Sequence, residues 1–270
     1  MIIVEHQSRE LREYLVKGNF LYPLLDWIFG GAIRSYISIQ IAVTSEVIQY
    51  QMCRNPQRKV TQFLVISNGI DTNIAPVRTL VPTLNKSIEM IFLGDIKYWH
   101  GIDRMISGLE HYSGVYNISF IIYGHNSHHT TQLSRINNPK VQVQLYPFVS
   151  GIGLNQIFET AHIAISSLGV HRIRIKEISS LKSREYCSRG IPFIFSTADP
   201  DFSHNFPYAL EFPADNNPIQ IEQIFNFLEE IYQDDKFSHK MHEYAEYHLK
   251  WAKKLQPLAK ILHNQSKPPD

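Results

Sequence analysis

Glu177 and Glu185 are the side chains whose type and spacing could do chemistry, and they stand in the stretch EISSLKSREYCSRGIP. On one continuous helix, eight positions correspond to roughly 12 Å of rise and about 80° of rotation, so the two carboxylates could not share a small ligand group. If Glu177 lies in a loop and Glu185 lies inside the helix that follows, both can face one crevice. Carboxylates accept hydrogen bonds from hydroxyls such as those of a sugar.

Positive charge surrounds the start of the same helix, because Lys176, Lys182 and Arg184 flank it. The free N–H groups and the dipole of a helix N-terminus also favour an anion such as phosphate. Cations for phosphates together with carboxylates for hydroxyls indicate a nucleotide-sugar site. The alternative is a solvated, charged helix end, and these residues alone leave it open.

Local signals predict how this helix begins and ends. Ser179 and Ser180 are suitable N-cap residues. We expect a short helix at Leu181–Arg189, with Gly190 as the C′ residue and Pro192 as a stop just beyond it. The apolar run FIF that follows is typical of a buried parallel strand.

The composition of the 270-residue chain excludes several classes of protein. A formal net charge of +1 gives no reason to expect nucleic acid as a partner. Cys53 and Cys187 form no metal-binding or redox spacing, which favours a reducing compartment. Met1 leads directly into an apolar strand without a basic signal-peptide region, and no run reaches the ~18 apolar residues that cross a bilayer. We therefore expect a cytoplasmic protein.

Strands and helices alternate along the whole chain, which predicts an α/β fold with parallel sheets. We expect strands at residues 2–4, 39–44, 60–66, 88–93, 118–123, 141–145, 161–166, 193–196 and 206–212. We expect helices at residues 8–17, 20–36, 46–53, 103–111, 152–160, 181–189, 218–233, 237–248 and 251–262. In an open parallel sheet, ligands bind outside the carboxyl ends of the strands. The basic loop at residues 171–176 therefore lies where a ligand is expected, unless it is a solvated surface.

Two further features have a structural and a functional interpretation. The aromatic stretch at residues 20–36 indicates core or interface packing, although Arg34 beside Trp27 and Phe29 keeps a membrane-surface patch open. A metal site needs three or four convergent ligands with supporting hydrogen bonds. We interpret the histidine clusters as surface features and expect no metal at His125, His128, His129, His239 and His242.

The stretch from Glu177 to Pro192 resembles the E-x7-E signature of family 4-like (group 1) retaining glycosyltransferases with the GT-B fold, because Glu185 is followed by Gly-Ile-Pro and an apolar strand. Two segments that resemble the end of the family's N-terminal half also stand in order, as IAVTSE at residues 41–46 and ISNGID at residues 66–71. The resemblance implies two Rossmann-like parallel-sheet domains with a final helix that crosses back to the first.

The resemblance also implies a division of the chain. It places a partial, acceptor-side domain at residues 1–75, a linker at 76–87, the nucleotide-sugar-binding domain at 88–248, and the crossing helix and tail at 249–270. A complete N-terminal domain of this fold has on the order of 150 residues, so we expect its first part to be absent.

The activity implied by the resemblance is transfer of a sugar from a nucleotide diphosphate sugar, with retention of anomeric configuration and without a cofactor. Glu185 would bind the ribose hydroxyls, and Glu177 would face the hydroxyls or the reacting centre of the donor sugar. His6 resembles a histidine that ends a central strand of the family's acceptor domain, and would help to place the acceptor.

The phosphate-binding residues depart from the family. When Gly101 is aligned, Asp95 stands where the family has Arg, and His100 stands where it has Lys. His100 could still give a hydrogen bond or a partial charge to phosphate. We therefore shift the main phosphate role to the basic residues near the Glu pair, which are Lys176, Lys182 and one of Arg172 or Arg174.

The remaining donor contacts also follow from the resemblance. Gly94 ends the first strand of the donor domain, where the backbone approaches the donor. Phe148 and Val149 would face the nucleotide base, with plain core packing as the alternative.

Other functions stay open. The chief rival is a truncated, non-catalytic nucleotide-binding homologue, or one half of a two-chain glycosyltransferase whose N-terminal domain a second protein completes. A sugar-nucleotide epimerase would need an acid/base set that the sequence does not show. The resemblance suggests a glycan or lipid-linked acceptor in polysaccharide or glycolipid synthesis, with the protein peripheral at a membrane.

Overall fold

The computed structural model of the chain describes residues 1–16, 18–55, 62–124, 136–202 and 206–265. Its strands form two separate, wholly parallel sheets, so the expected α/β class is confirmed. The predictions for His125, His128 and His129 lie outside the described residues. The smaller sheet has the order β1-β2-β3 and contains β1 (Ile3–His6), β2 (Ile39–Ala42) and β3 (Gln62–Val65).

The larger sheet has six strands in the order β6-β5-β4-β7-β8-β9. They are β4 (Ser87–Leu93), β5 (Asn117–Tyr123), β6 (Val141–Tyr146), β7 (Ile163–Ile165), β8 (Phe193–Phe195) and β9 (Ala209–Glu211). Strands β7 and β8 are buried throughout, as expected for short apolar runs at the centre of a parallel sheet. The strand order reverses between β4 and β7, and such switch points are where open parallel sheets form a ligand crevice.

The helices of the described chain connect these strands and cover the sheets. They are α1 (Glu10–Val16), α2 (Leu21–Arg34), α3 (Ser45–Arg54), α4 (Ile102–Glu110), α5 (Ile152–Thr160), α6 (Leu181–Arg189), α7 (Ile221–Ile231), α8 (Phe237–Tyr244), α9 (Trp251–Lys254) and α10 (Gln256–Gln265). On the larger sheet, α4 and α7 cover one face, and α5, α6 and α8 cover the other. The sheet therefore has the two-sided cover that a parallel sheet requires.

The smaller sheet is covered on one face by α3 and on the other by α10. Val47 and Ile48 of α3 pack with Ala42 of the middle strand. On the opposite face, the C-terminal helix α10 contributes Leu258, Ile261 and Leu262 to a cluster with Ile39, Ile41 and Ile66. The chain therefore returns at its C-terminal end to the sheet formed by its first strands, as the sequence predicts.

The last predicted helices differ in detail from the structure. The helix expected at residues 237–248 ends at Tyr244 and continues as a π-helical turn at Ala245–Leu249. The helix expected at 251–262 is divided at Leu255 into α9 and α10. Pro257 explains this break, because proline has no N–H and its ring clashes with the preceding helical turn.

The aromatic stretch at residues 20–36, for which core or interface packing is expected, forms α2 at Leu21–Arg34 and does not pack in the core, while the interface alternative stays a prediction. Gly30 is the one buried residue of this helix. The indole of Trp27 is 81% exposed, and Phe20 and Ile33 are also exposed. Several apolar side chains of α2 are therefore exposed, although Tyr22 stacks on Tyr14 of α1.

Candidate functional site

A cavity of about 450 Å³ lies between the two sheets, and it contains the start of α6. The smaller sheet contributes the residues after β2, including Thr44 and Val47. The larger sheet contributes residues that follow β4 and β7, including Gly94 and Ser167. The cavity thus lies outside the carboxyl ends of parallel strands at the switch point, where such sheets bind ligands. Its volume falls within the range for small-molecule and cofactor sites.

The start of α6 is not capped as the sequence predicts. Ser180 is the N-cap residue by position, but its side chain makes no capping hydrogen bond. Its hydroxyl lies 3.3 Å from the hydroxyl of Ser166 instead. Ser179 accepts the backbone N–H of Asn68 at 2.8 Å, which joins the loop before α6 to the segment after β3. The serines therefore connect the two halves of the site.

Gly190 ends α6 as predicted. It has a φ of +73°, in the left-handed region, and an added Cβ there would lie 2.1 Å from the hydroxyl of Ser238. The turn to β8 requires glycine at this position for both reasons.

Glu177 lines the cavity and forms hydrogen bonds with Glu46 of α3, the helix that covers the smaller sheet. Its Oε2 accepts the backbone N–H of Glu46 at 3.1 Å. In return, Oε2 of Glu46 accepts the N–H of Glu177 at 3.1 Å and that of Lys176 at 2.7 Å. Within the described chain, the other oxygen of Glu177 makes no hydrogen bond, so it can accept a ligand hydroxyl.

Lys182 and His100 meet at the wall of the same cavity. The Lys182 Nζ lies 3.2 Å from the His100 Nε2 and 4.4 Å from the centre of the Phe92 ring. Burial lowers the pKa of Lys182 to about 7. Burial, together with the neighbouring Lys182, lowers the pKa of His100 to about 3, so this imidazole is neutral at physiological pH. Lys182 is therefore the side chain that can bring positive charge to an anion here.

Gly94 also lines the cavity, directly after β4. Its φ is +115°, and a Cβ built on it would lie 3.9 Å from the Nζ of Lys182. Gly124, at the end of β5, packs so closely that its own added Cβ would lie 3.0 Å from the Gly94 backbone. A side chain at position 94 would be strained and would enter the space beside Lys182.

Glu185 lies outside the lining of this cavity. Its Oε1 accepts a hydrogen bond from the Arg189 Nε at 3.1 Å, and Arg189 also donates to Asn155 at 2.7 Å. Only Glu177 of the two glutamates therefore lines this cavity. The ribose role of Glu185 stays a prediction.

Most of the other predicted cations are engaged elsewhere. Arg172 donates to both oxygens of Asp103 at 2.7 Å. Arg174 and Lys176 line a different depression. The placement of Arg184 corrects the sequence interpretation, because its guanidinium is fully buried and paired with carboxylates rather than facing an anion site. Its partners are Asp199, at 2.6 and 2.8 Å, and Asp201.

Three further predicted residues lie away from the cavity. His6 lines a second, largely apolar cavity of about 470 Å³ beneath α2. There its Nδ1 lies 2.6 Å from Glu10 and its Nε2 has no hydrogen-bond partner in the described chain. Phe148 is 75% exposed, which excludes its core alternative. Val149 packs partly buried against the core. Their contacts with acceptor or base stay predictions.

Several residues of the site were not singled out from the sequence. Glu46 and Thr44 stand inside the segment IAVTSE, and Asn68 stands inside ISNGID, but no pattern indicated that they meet the loop before α6. Trp99 contributes an apolar wall beside His100. The signal that could have found them was the position of both segments at strand ends.

The described residues contain neither a group of metal-binding side chains nor a membrane-spanning helix. Between residues 1 and 265, apart from the gaps stated above, no group of three or more His, Cys, Asp or Glu side chains could hold a metal ion. Over the same residues, no helix has both the length and the apolarity to cross a membrane.

Comparison with known proteins bears on the fold. No family model matches the chain, and no curated protein matches it. Among solved structures, the chain is similar to a glycosyltransferase from Rickettsia africae ESF-5, with a TM-score of 0.62 at 13% identity, over 86% of this chain and 64% of that one. It is also similar to Anabaena HepE in complex with UDP and glucose, with a TM-score of 0.61 at 13% identity, over 97% of this chain and 71% of that one.

A third similar structure is the GtfA/B complex, with a TM-score of 0.55 at 16% identity, over 89% of this chain and 47% of that one. At such low identity these likenesses show the fold alone. They confirm the GT-B-like arrangement of two parallel-sheet units expected from the sequence. They also show that the chain spans 64% of the length of the Rickettsia protein.

Proposed function

We propose that the protein binds a nucleotide diphosphate sugar in the cavity between its sheets and transfers the sugar with retention of configuration. The observation that carries the proposal is the meeting of Glu177, Lys182 and His100 at the carboxyl ends of β4 and β7. One carboxylate oxygen is available for a sugar hydroxyl, and one lysine can compensate a diphosphate. These are the two kinds of group that such a donor requires.

The roles follow from the placement of the groups. Glu177 would accept hydroxyls of the donor sugar near its reacting carbon. Lys182 would stabilise the charge that develops on the leaving diphosphate, with the N–H groups at the start of α6. In this proposal the cations take the place of a metal. Glu185 would bind ribose after Arg189 gives up its hydrogen bond, and His6 would help to place the acceptor.

Two lines of support come from outside the site. The E-x7-E resemblance ends at the Gly190 cap, whose conformation requires glycine. Solved structures with this fold include Anabaena HepE in complex with UDP and glucose. The acceptor class proposed is a glycan or a lipid-linked glycan, with a cytoplasmic location peripheral to a membrane.

Donor turnover tests the proposal. The purified chain is incubated with UDP-glucose, UDP-galactose, UDP-N-acetylglucosamine and GDP-mannose, and release of the nucleoside diphosphate is measured with and without a glycan or lipid acceptor. We expect binding of at least one donor and slow hydrolysis that Glu177→Ala abolishes. No binding of any of these donors would contradict the proposal.

The second candidate is a nucleotide-binding protein that needs another chain for activity. Asp95 forms an ion pair with Lys97 and supplies no positive charge to a phosphate. Lys182 would therefore have to compensate most of the negative charge of a diphosphate. The exposed apolar face of α2 and the open edge of β1 lie where a second chain could complete the smaller sheet. Donor binding without hydrolysis by the isolated chain would favour this candidate.

A further inference from the structure

The contact between Lys182 and His100 contains two nitrogen atoms whose protons can be placed from geometry. His100 is the last residue of a 3-10 turn, Tyr98–His100, and its Nδ1 accepts the backbone N–H of Lys97 at 3.2 Å. Nδ1 therefore carries no proton. In the neutral ring the proton is on Nε2, which lies 3.2 Å from the Nζ of Lys182.

A charged lysine does not fit this arrangement. An ammonium group has three donors and no lone pair, so it cannot accept the Nε2–H of His100. A neutral amine has a lone pair and can accept it. The distance of 3.2 Å between the two nitrogens therefore fits an uncharged Lys182.

The surroundings of Lys182 also disfavour charge. The face of the Phe92 ring at 4.4 Å would attract a cation, but in the described chain no carboxylate forms an ion pair with the Nζ. Burial lowers the pKa of Lys182 to about 7. The titratable groups that line this cavity together with Lys182 are Glu13 in α1, His100 after β4 and Glu177 before α6. Asp95 and Lys97 lie near His100 and act on its charge, whereas Glu185 and Arg189 pair with each other outside the cavity lining.

We propose that Lys182 is an uncharged amine in the empty site and takes up a proton from solvent when the diphosphate of a donor binds. The inference rests on the proposed function, because it needs a diphosphate ligand in this cavity. In the complex the new ammonium donates to the phosphate oxygens, and the Nε2–H of His100 turns from Lys182 to another of them. No covalent bond is made or broken in this step.

Because donor binding is coupled to proton uptake by Lys182, donor affinity depends on pH. The ligand raises the pKa of Lys182, so the bound state holds one more proton than the free state above the free pKa. Donor affinity is independent of this group below about pH 7 and falls above it, by up to about tenfold per pH unit until the pKa of the complex is reached. The site therefore avoids an unpaired buried charge when it is empty.

The first half of the test needs no ligand. The Cε resonances of carbon-13-labelled lysines are followed against pH in the free protein, and Lys182→Arg identifies the resonance of Lys182. We expect a midpoint near 7, whereas ordinary lysines titrate near 10.4. A midpoint in the ordinary range would overturn the inference.

The second half of the test measures how many protons the protein takes up when a donor binds. UDP-glucose is the probe, because both of its phosphates are esterified and keep constant charge above neutral pH. Titration calorimetry at pH 8 in two buffers of different ionisation enthalpy gives the protons taken up on binding. We expect about 0.9 proton for the natural protein and for the exposed control Lys240→Met, and none for Lys182→Arg.

The outcomes separate this inference from the proposed function. Binding without proton uptake, or equal uptake by Lys182→Arg, would overturn the inference and leave the donor site intact. If UDP-glucose does not bind at any pH, then it is not a donor for this site, and the proposed uptake of a proton on its binding is also wrong. The free-protein titration decides the state of Lys182 in either case.

Discussion

Glu46 and Glu177 form reciprocal hydrogen bonds with each other's backbones. The N–H of each residue donates to the carboxylate of the other at 3.1 Å. Glu46 lies in the first turn of α3, and Glu177 lies in the loop before α6, so the pair joins a helix of the smaller sheet to the helix start of the larger one. Oε2 of Glu177 makes this contact, and the residue also lines the cavity.

Glu177→Gln should lower turnover more than donor affinity. The amide keeps the size of the side chain and one oxygen acceptor, but it removes the negative charge that the proposed function places next to the reacting carbon. We expect donor hydrolysis to fall by on the order of tenfold to a hundredfold, with nucleotide affinity changed less than about threefold. Steady-state hydrolysis and calorimetry on the same preparations measure the two quantities.

The matched control is Glu46→Gln, which weakens the same reciprocal contact from the other side. We expect it to reduce affinity and turnover together, because it loosens the loop without removing a ligand contact. If both variants behave alike, Glu177 has only a structural role.

Lys182→Met should weaken UDP binding much more than uridine binding. A hydrogen bond to a charged group contributes about 1.5–3 kcal/mol, which corresponds to a loss of roughly 10- to 150-fold for UDP alone. Methionine keeps an unbranched side chain over the Phe92 ring, so the cavity wall is preserved. Competition binding of UDP and uridine measures the difference.

Lys176→Met is the comparison variant, because Lys176 is exposed and lines another depression. We expect it to change UDP affinity less than twofold. An equal loss for UDP and uridine in Lys182→Met would show that this lysine does not contact phosphate.

Glu185→Ala tests the ribose prediction. If Glu185 binds ribose hydroxyls, uridine and UDP should lose affinity by the same factor, on the order of tenfold. Asn155→Ala is the control, since it removes the other hydrogen-bond partner of Arg189 and leaves Glu185 in place. Unchanged uridine affinity in Glu185→Ala would leave Glu185 with its ion pair to Arg189 as its only role.

Trp27→Ser should leave the stability of the isolated chain nearly unchanged. The Trp27 side chain is 81% exposed, so its replacement removes little packing, and we expect a change in the free energy of unfolding within about 0.5 kcal/mol. Phe158→Ala, at a fully buried position, should cost about 3–5 kcal/mol. Urea denaturation of both variants measures the contrast. A large loss for Trp27→Ser would mean that α2 is packed against the chain itself.

Asp26 should make the attachment of α2 sensitive to acid. Burial alone would raise the pKa of this carboxyl, but hydrogen bonds from Arg54 and Arg34 hold it below its ordinary value. A carboxyl with a lowered folded pKa contributes stability above its unfolded pKa of about 3.9, and loses it as the pH falls through the folded pKa. We expect the difference in unfolding free energy between the natural protein and Asp26→Asn to shrink from pH 5 to pH 3. A constant difference would contradict this linkage.

The sequence by itself determined the elements and their order, because the signals for them are local. The helix Leu181–Arg189 was predicted at its observed bounds from the apolar run after it, the Gly190 terminator and Pro192. Continuous apolar runs and the alternation of strands with helices likewise predicted parallel strands, and the resemblance implied that they form two sheets. The general rule for open parallel sheets predicted a ligand site at the strand ends.

Only the tertiary structure decided which side chains face the cavity. Glu177, Lys182 and His100 meet there, whereas Glu185 turns to Arg189 and Arg184 is buried with Asp199. These choices depend on distances between residues far apart in the chain, which no local pattern encodes. The same reason explains α2, whose apolar sequence predicted burial, since burial depends on whether another layer is present to cover it.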